Sequence, residues 1–183
     1  MADSLATPAE LATFLQKATQ DEINAGNPDV LDTGVALQAL ASASGAVRAV
    51  CGWSVSQETV TETLVGDGWV FLPTLYLTAL SATVGGTPLA SGTDLVWYRN
   101  GTVRLLWHRS GSPVTLTYTH GFSPVPDEVR AVVLELAAQT VENPLQMASS
   151  TVGGVVDVFS RSSGSDDLAA DPRLAPYRLP TVA

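Results

Sequence analysis

Apolar positions along this chain change their spacing twice. Through the first fifty residues they recur at helical intervals. From Trp53 to Phe122 they alternate or run in short blocks, and from Val129 to Val141 the helical interval returns. Thr7-Pro8-Ala9-Glu10 has the form of a capping box with proline at the first helical position, where Thr7 satisfies a free amide and Glu10 reaches back. Leu11, Phe14, Leu15 and Ala18 follow as an apolar stripe, and the helix should end before Asn24-Ala25-Gly26. Asn27-Pro28 predicts a second helix start, with Asp29 and Asp32 placed favourably against the helix dipole. Leu37, Leu40, Ala41, Ser44, Val47 and Cys51 then share one stripe, and Gly52 stops the helix. The pair is expected to be antiparallel.

The middle of the chain reads as strands. Nine of the 12 aromatic residues lie between 53 and 122, which suits pleated, half-buried surfaces. Gln57–Val65 is threonine-rich, Gly66-Asp67-Gly68 is a turn, and Trp69-Val70-Phe71-Leu72 is a short apolar block. Leu75–Val84 ends at Gly85-Gly86. Asp94–Arg99 and Thr102–Arg109 flank Asn100-Gly101, the strongest short hairpin signal. In Pro113–His120 the residues Val114, Leu116, Tyr118 and His120 face one way and Thr115, Thr117 and Thr119 the other. A compact antiparallel sheet or small barrel is expected.

Pro126-Asp127-Glu128 opens a third helix. Val129, Val132, Val133, Leu136, Ala137, Thr140 and Val141 form a wide apolar face, which Ala131, Leu134 and Ala138 extend. A helix apolar over this much of its circumference is covered on more than one side. Asn143-Pro144 ends it. Beyond it, Val155–Phe159 can form a strand, Ser160–Asp167 is polar, and Leu168–Tyr177 is too short and proline-broken to build its own core. Such a tail, with anchors at Val156, Val158, Phe159, Leu174 and Tyr177, is expected to dock on something else. The expected class is therefore α+β: a helical bundle (two N-terminal helices plus one long helix after the sheet), an inserted antiparallel β-rich subdomain and an extended C-terminal arm. The expected boundaries are 1–52, 53–122, 123–143 and 144–183.

Charge and chemistry then limit the function. The net charge is −9, and Lys17 is the only lysine. Residues 1–52 and 123–183 each carry net −4, and the β-rich middle −1. A chain without clustered Lys and Arg does not grip phosphates. One cysteine, Cys51, excludes an intrachain disulfide and a multi-cysteine metal site. His108 and His120 are too few for a three-histidine zinc site. There is no phosphate loop and no Gly-x-Ser-x-Gly elbow. His120, at a strand end, is read as structural, and Asp166, Asp167 and Asp171 as a solvated acidic patch. His108 shares a strand face with Arg104 and Leu106, opposite Val103, Leu105 and Trp107. That face suits a subunit contact. No apolar run approaches the roughly 20 residues that span a bilayer, so no membrane is expected. Neither an enzymatic activity nor a cofactor is expected.

A series of segments carries a resemblance over nearly the whole chain. Thr7–Ala12 with Phe14-Leu15 opens it, and Val47-Arg48-Ala49-Val50-Cys51-Gly52-Trp53 closes the second helix. Trp69–Thr74 leads into Leu80–Val84, and Thr117–Phe122 precedes Val125–Ala131. Leu174-Ala175-Pro176-Tyr177-Arg178 stands near the end. In this order the series resembles the head-to-tail adaptor (head–tail connector) proteins of tailed bacteriophages, especially those of actinobacteria. The resemblance implies a structural virion protein made in the host bacterial cytoplasm and located at the capsid–tail junction. It implies a ring, a dodecamer of roughly twelve copies, below the portal protein, offering a platform to the stopper and tail proteins while DNA passes through the bore without sequence-specific binding. Residues expected at subunit or portal contacts are Val129, Val133, Leu136, Val156, Val158, Phe159, Leu174, Tyr177 and Arg104. The free chain is expected to be a monomer. Two other readings stand beside this one: a neck stopper or tail-completion protein of the same particle, and a β-domain binding carbohydrate or a cell surface through Trp69, Trp97 and Trp107.

Overall fold

The computed structural model describes residues 4–15, 32–65, 68–106, 113–142, 149–152, 155–158 and 165–180. The fold is α+β. Two compact units divide the chain: residues 1–50 with 126–176, and residues 51–125 with 177–183.

The first unit holds the long helices and one two-stranded hairpin. Helix α1 (Pro8–Phe14) begins as its sequence predicts: the Glu10 amide donates to Thr7 Oγ1 (3.3 Å), and the Thr7 amide donates to Glu10 Oε2 (2.7 Å). Leu11 and Ala12 are buried, whereas Phe14, expected on the same stripe, is 46% exposed. The described part of the second helix, α2 (Thr33–Cys51), starts at Asp32. Asp32 Oδ1 accepts from the amides of Gly34 (2.7 Å) and Val35 (3.1 Å), which makes it the N-cap. The predicted start at Asn27-Pro28 lies outside the described residues.

The buried face of α2 differs from the predicted stripe. Leu40, Ser44, Val47 and Cys51 are buried, and Ala36, Ala39 and Ala43 join them, while Leu37 and Ala41 face outward. An alanine-rich helix is apolar all round, so periodicity alone does not choose its inner face. Ser44 is satisfied in the interior, its Oγ accepting from the Leu5 amide at 3.0 Å. At 19 residues and mean hydropathy 1.3, α2 is also long and apolar enough to cross a membrane by length and composition, contrary to the sequence expectation. Its N-cap, its buried alanine stripe and its internally bonded serine are features of a core helix.

Helix α3 (Asp127–Glu142) carries two acids in its first turn and buries Val129, Val132, Val133, Ala137 and Ala138. Leu134, Leu136 and Val141 are half-buried, and Thr140 is exposed, its hydroxyl donating to the Leu136 carbonyl. In the arm, β8 (Ser149–Val152) pairs antiparallel with β9 (Val155–Val158), and a short helix α4 (Ser165–Ala170) follows. Phe159 lies outside the described residues.

The second unit contains two antiparallel sheets. The larger has the order β1 (Glu58–Val65), β7 (Pro113–His120), β3 (Leu77–Val84), β4 (Thr87–Pro88). The smaller has the order β2 (Trp69–Phe71), β6 (Thr102–Leu105), β5 (Leu95–Trp97). Both contribute to one core that includes Val70, Leu72, Leu77, Leu95, Val103, Leu105, Val114, Leu116 and Tyr118. The predicted alternation of β7 holds: Val114, Leu116, Tyr118 and His120 are buried. On the opposite face a threonine ladder joins β1 to β7, through hydroxyl pairs Thr59–Thr119 (2.8 Å), Thr61–Thr117 (3.0 Å) and Thr63–Thr115 (3.0 Å). The Asn100-Gly101 hairpin also forms, with the Tyr98 amide donating to the Thr102 carbonyl at 2.8 Å. Gly101 has φ +82°, and a Cβ there would lie 2.6 Å from the Thr74 carbonyl oxygen, so only glycine fits.

Candidate assembly surface

The smaller sheet of the second unit has one face in the core and one in solvent. Its register places Trp69 opposite Arg104, and Arg104 opposite Val96. Phe71 lies opposite Thr102. Alternation carries this outward face on to Tyr98 and Leu106 at the strand ends. The inward face holds Val70, Val103, Leu95, Leu105 and Trp97, all packed in the core cluster. The outward side chains are large and accessible: Phe71 is 75% exposed, Tyr98 50%, Trp69 49% and Leu106 44%. The Arg104 guanidinium stands 5.3 Å from the Trp69 ring centroid. Among the described residues no carboxylate pairs with it. An exposed group of this kind is the sort of patch that protein partners cover.

The ends of the larger sheet hold a half-polar aromatic cluster. His120 is 3% exposed, and its Nε2 lies 3.2 Å from Glu58 Oε1. Nδ1 is buried without a hydrogen-bond partner among the described residues. Burial pushes the His120 imidazole below its ordinary pKa, against the pull of Glu58 and Glu62. Tyr118 donates its hydroxyl to Glu62 Oε1 at 3.2 Å, and burial together with that carboxylate pushes its phenol up to about 12. Trp53 and Phe122 pack beside this pair, and Tyr76 stacks on Phe122 at 4.3 Å between centroids. Among the described residues the hydrogen-bonding partner of His120 is the Glu58 carboxylate, and its ring packs between Trp53 and Tyr118.

The chain's end is fixed within each unit. In the second, the Trp53 indole Nε1 donates to the Tyr177 carbonyl at 2.6 Å, and the Leu179 amide donates to the Cys51 carbonyl at 2.9 Å. In the first, Arg173 forks onto Glu135 of α3, with Nη1 to Oε1 and Nη2 to Oε2 both at 2.7 Å, and also bonds Asp171. These carboxylates hold the guanidinium well above its ordinary pKa. A second arginine, Arg130, ties α3 to α1 by donating to Glu10 Oε1 at 3.0 Å and to Asp127 within its own helix. Burial raises the Glu10 carboxyl, but the bonds from Thr7 and Arg130 outweigh it and the net shift is downward.

These positions divide the contact residues predicted from sequence. Val129, Val133 and Leu174 are fully buried within the chain, so their side chains are not at the surface of this conformation. Leu136 and Tyr177 are half-buried. Val156 and Val158 lie on β9, in register with Thr151 and Ser149. Arg104 is exposed and is the one that joins an exposed apolar group. Leu106 is exposed on the same face, as its shared strand face with Arg104 implies, and the structure adds Phe71 and Tyr98. A signal for them existed in the period of two: Phe71 stands two residues from Trp69, and Tyr98 two from Val96, the residues in register with Arg104. His108, Arg109 and Trp107 lie outside the described residues. Trp69 and Trp97 occupy opposite faces of one sheet, so they do not form a common stacking platform. Among the described residues no group of three His, Cys, Asp or Glu is placed to hold a metal ion.

No family model matches the chain, and no curated protein does. Among solved structures, a chain from the neck of an empty GTA particle, computed with C6 symmetry, has the same fold with TM-score 0.59. The likeness covers 98% of this chain and 92% of that one, at 22% identity.

Proposed function

We propose that this protein is a structural component of the neck of a phage-like particle, a head-to-tail adaptor that forms a ring under the portal and joins the capsid to the tail. The observation that carries the reading is the end-to-end likeness of fold to a chain from a GTA particle neck (a phage-like gene transfer agent). The segment series of a head–tail connector, read from the sequence alone, points the same way. So does the surface chemistry: the accessible features are an aromatic sheet face, a capped apolar helix and a strongly acidic balance, the equipment of a protein that works by contact.

Net charge fits the task. Copies at −9 each make a bore that repels DNA rather than retaining it, which suits passage of a genome. Cyclic assembly follows when two different surfaces of one chain fit each other and the rotation closes. The adaptor reading and the stopper or tail-completion reading differ in the mate, so purified portal and purified tail complexes serve as competing baits. Retention of this chain by the portal, with little on the tail, is the expected result. Retention by the tail alone would replace the adaptor reading with the second one. Trp69 and Trp97 lie on opposite faces, which gives the carbohydrate reading no shared platform from that pair.

A further inference from the structure

We propose that the outward face of the β2-β6-β5 sheet is one half of a contact between copies of this chain, and that the N-terminal half of α2 of a neighbouring copy occupies it. The inference rests on the ring reading and names the surface through which the ring closes.

The sheet face combines four half-exposed or more exposed apolar side chains with Arg104 at their centre. In a chain of net −9, that is a cation set against the Trp69 ring with no ion pair among the described residues. The start of α2 is its complement. The whole 19-residue helix carries no acid and one base, Arg48. Its outward side carries small residues and Gln38, with Val35 (49% exposed) and Leu37 (50%) at its edges. Among the described residues the charged group at this end is Asp32, exposed at the N-cap. One face therefore offers bulky rings beside a cation, and the other an apolar helix face that begins at an anion.

Electrostatics decides between the possible pairings. Two copies of an acidic chain repel except where acids are absent or matched. A sheet face set on its own copy would bring two Arg104 guanidinium groups together uncompensated. Set on α2, Arg104 gains Asp32 as the aromatic rings exclude water around the pair, the arrangement in which an interfacial arginine counts most. The two faces are different, so the contact is heterologous: each copy uses both and leaves one of each for the next, as a ring requires.

Sedimentation of the full chain over rising protein concentration at low salt tests this, comparing wild type, Arg104→Glu, Asp32→Arg and the double exchange. The single exchanges are expected to weaken association by about tenfold or more, and the double exchange to restore most of it. Asp32→Arg also removes the α2 cap, so a second readout accompanies it. Equal amounts of Phe71→Cys and Gln38→Cys chains are mixed and oxidised, and disulfides between 71 and 38 should exceed both homodimers. Wild type that associates while Arg104→Glu associates equally, or a dominant 71–71 disulfide, overturns this contact and leaves the ring reading standing. A wild-type chain that neither associates nor cross-links at the highest concentration overturns this contact as well, while the ring reading, in which the free chain is a monomer, is tested separately by retention on the portal.

Discussion

Leu174→Ala tests whether the chain's last stretch is built into the first unit by packing. Leu174 is fully buried, and the preceding residue, Arg173, forks onto Glu135 of α3. Each of the three carbons removed is worth about 0.8 kcal/mol in transfer from water. The cavity left behind adds to this, which places the total at roughly 2–5 kcal/mol. Arg173→Ala is the internal comparison. That ion pair is more than a third exposed on both sides, and solvent-exposed pairs contribute about 0.2–1 kcal/mol. Packing should therefore outweigh charge by a wide margin at adjacent positions. Urea unfolding followed by far-UV circular dichroism measures both losses, and hydrogen exchange at 165–180 reports the local effect. The Leu174→Ala chain should lose several times more stability than Arg173→Ala, with amides in 165–180 exchanging faster. A Leu174→Ala loss under about 1 kcal/mol, or one smaller than that of Arg173→Ala, would refute packing as the anchor.

Three further outcomes follow from the second unit. The folded pKa of His120 lies below the unfolded value, so the unfolded chain binds more protons as the pH falls through that of free histidine. Stability should then decline from about pH 6.5 downward and level off below the folded pKa, and His120→Gln should flatten that part of the pH–stability curve. Gly121 has φ +92°, and a Cβ there would collide with the Ser56 carbonyl and come within 2.8 Å of the Gln57 amide nitrogen. Gly121→Ala should cost at least about 2 kcal/mol in thermal or urea unfolding, and a neutral substitution would contradict the packing of β7 against residues 55–57. In an ultraviolet titration the Tyr118 phenolate should appear only near pH 12, and Glu62→Gln should bring it lower.

The sequence is most legible where a local rule decides. Thr7 and Glu10 form their capping box, β7 buries Val114, Leu116 and Tyr118, and Asn100-Gly101 turns a hairpin. In each case the deciding interaction lies within a few residues. Strand order is not local. β1 pairs with β7 across some fifty residues, and a period of two marks a face without naming a partner. The inner side of α2 escaped because alanine dominates both faces, which left Leu37 exposed and Ala36, Ala39 and Ala43 buried. Trp69-Val70-Phe71 reads as a continuous apolar block, and only its register with Arg104 shows that two of the three residues face outward. The return of the chain's end escaped for a related reason. Arg173 and Glu135 are 38 residues apart, and charge spacing in sequence does not encode such a pair.

The central claim is that this chain acts through surfaces offered to its own copies and to a larger particle. Cryo-electron microscopy of intact particles, with the chain located in the map, tests it most directly. A ring of copies at the junction of head and tail, around a bore open to DNA, is the predicted result. Complete, infectious, fully tailed particles in which this chain is absent would contradict it.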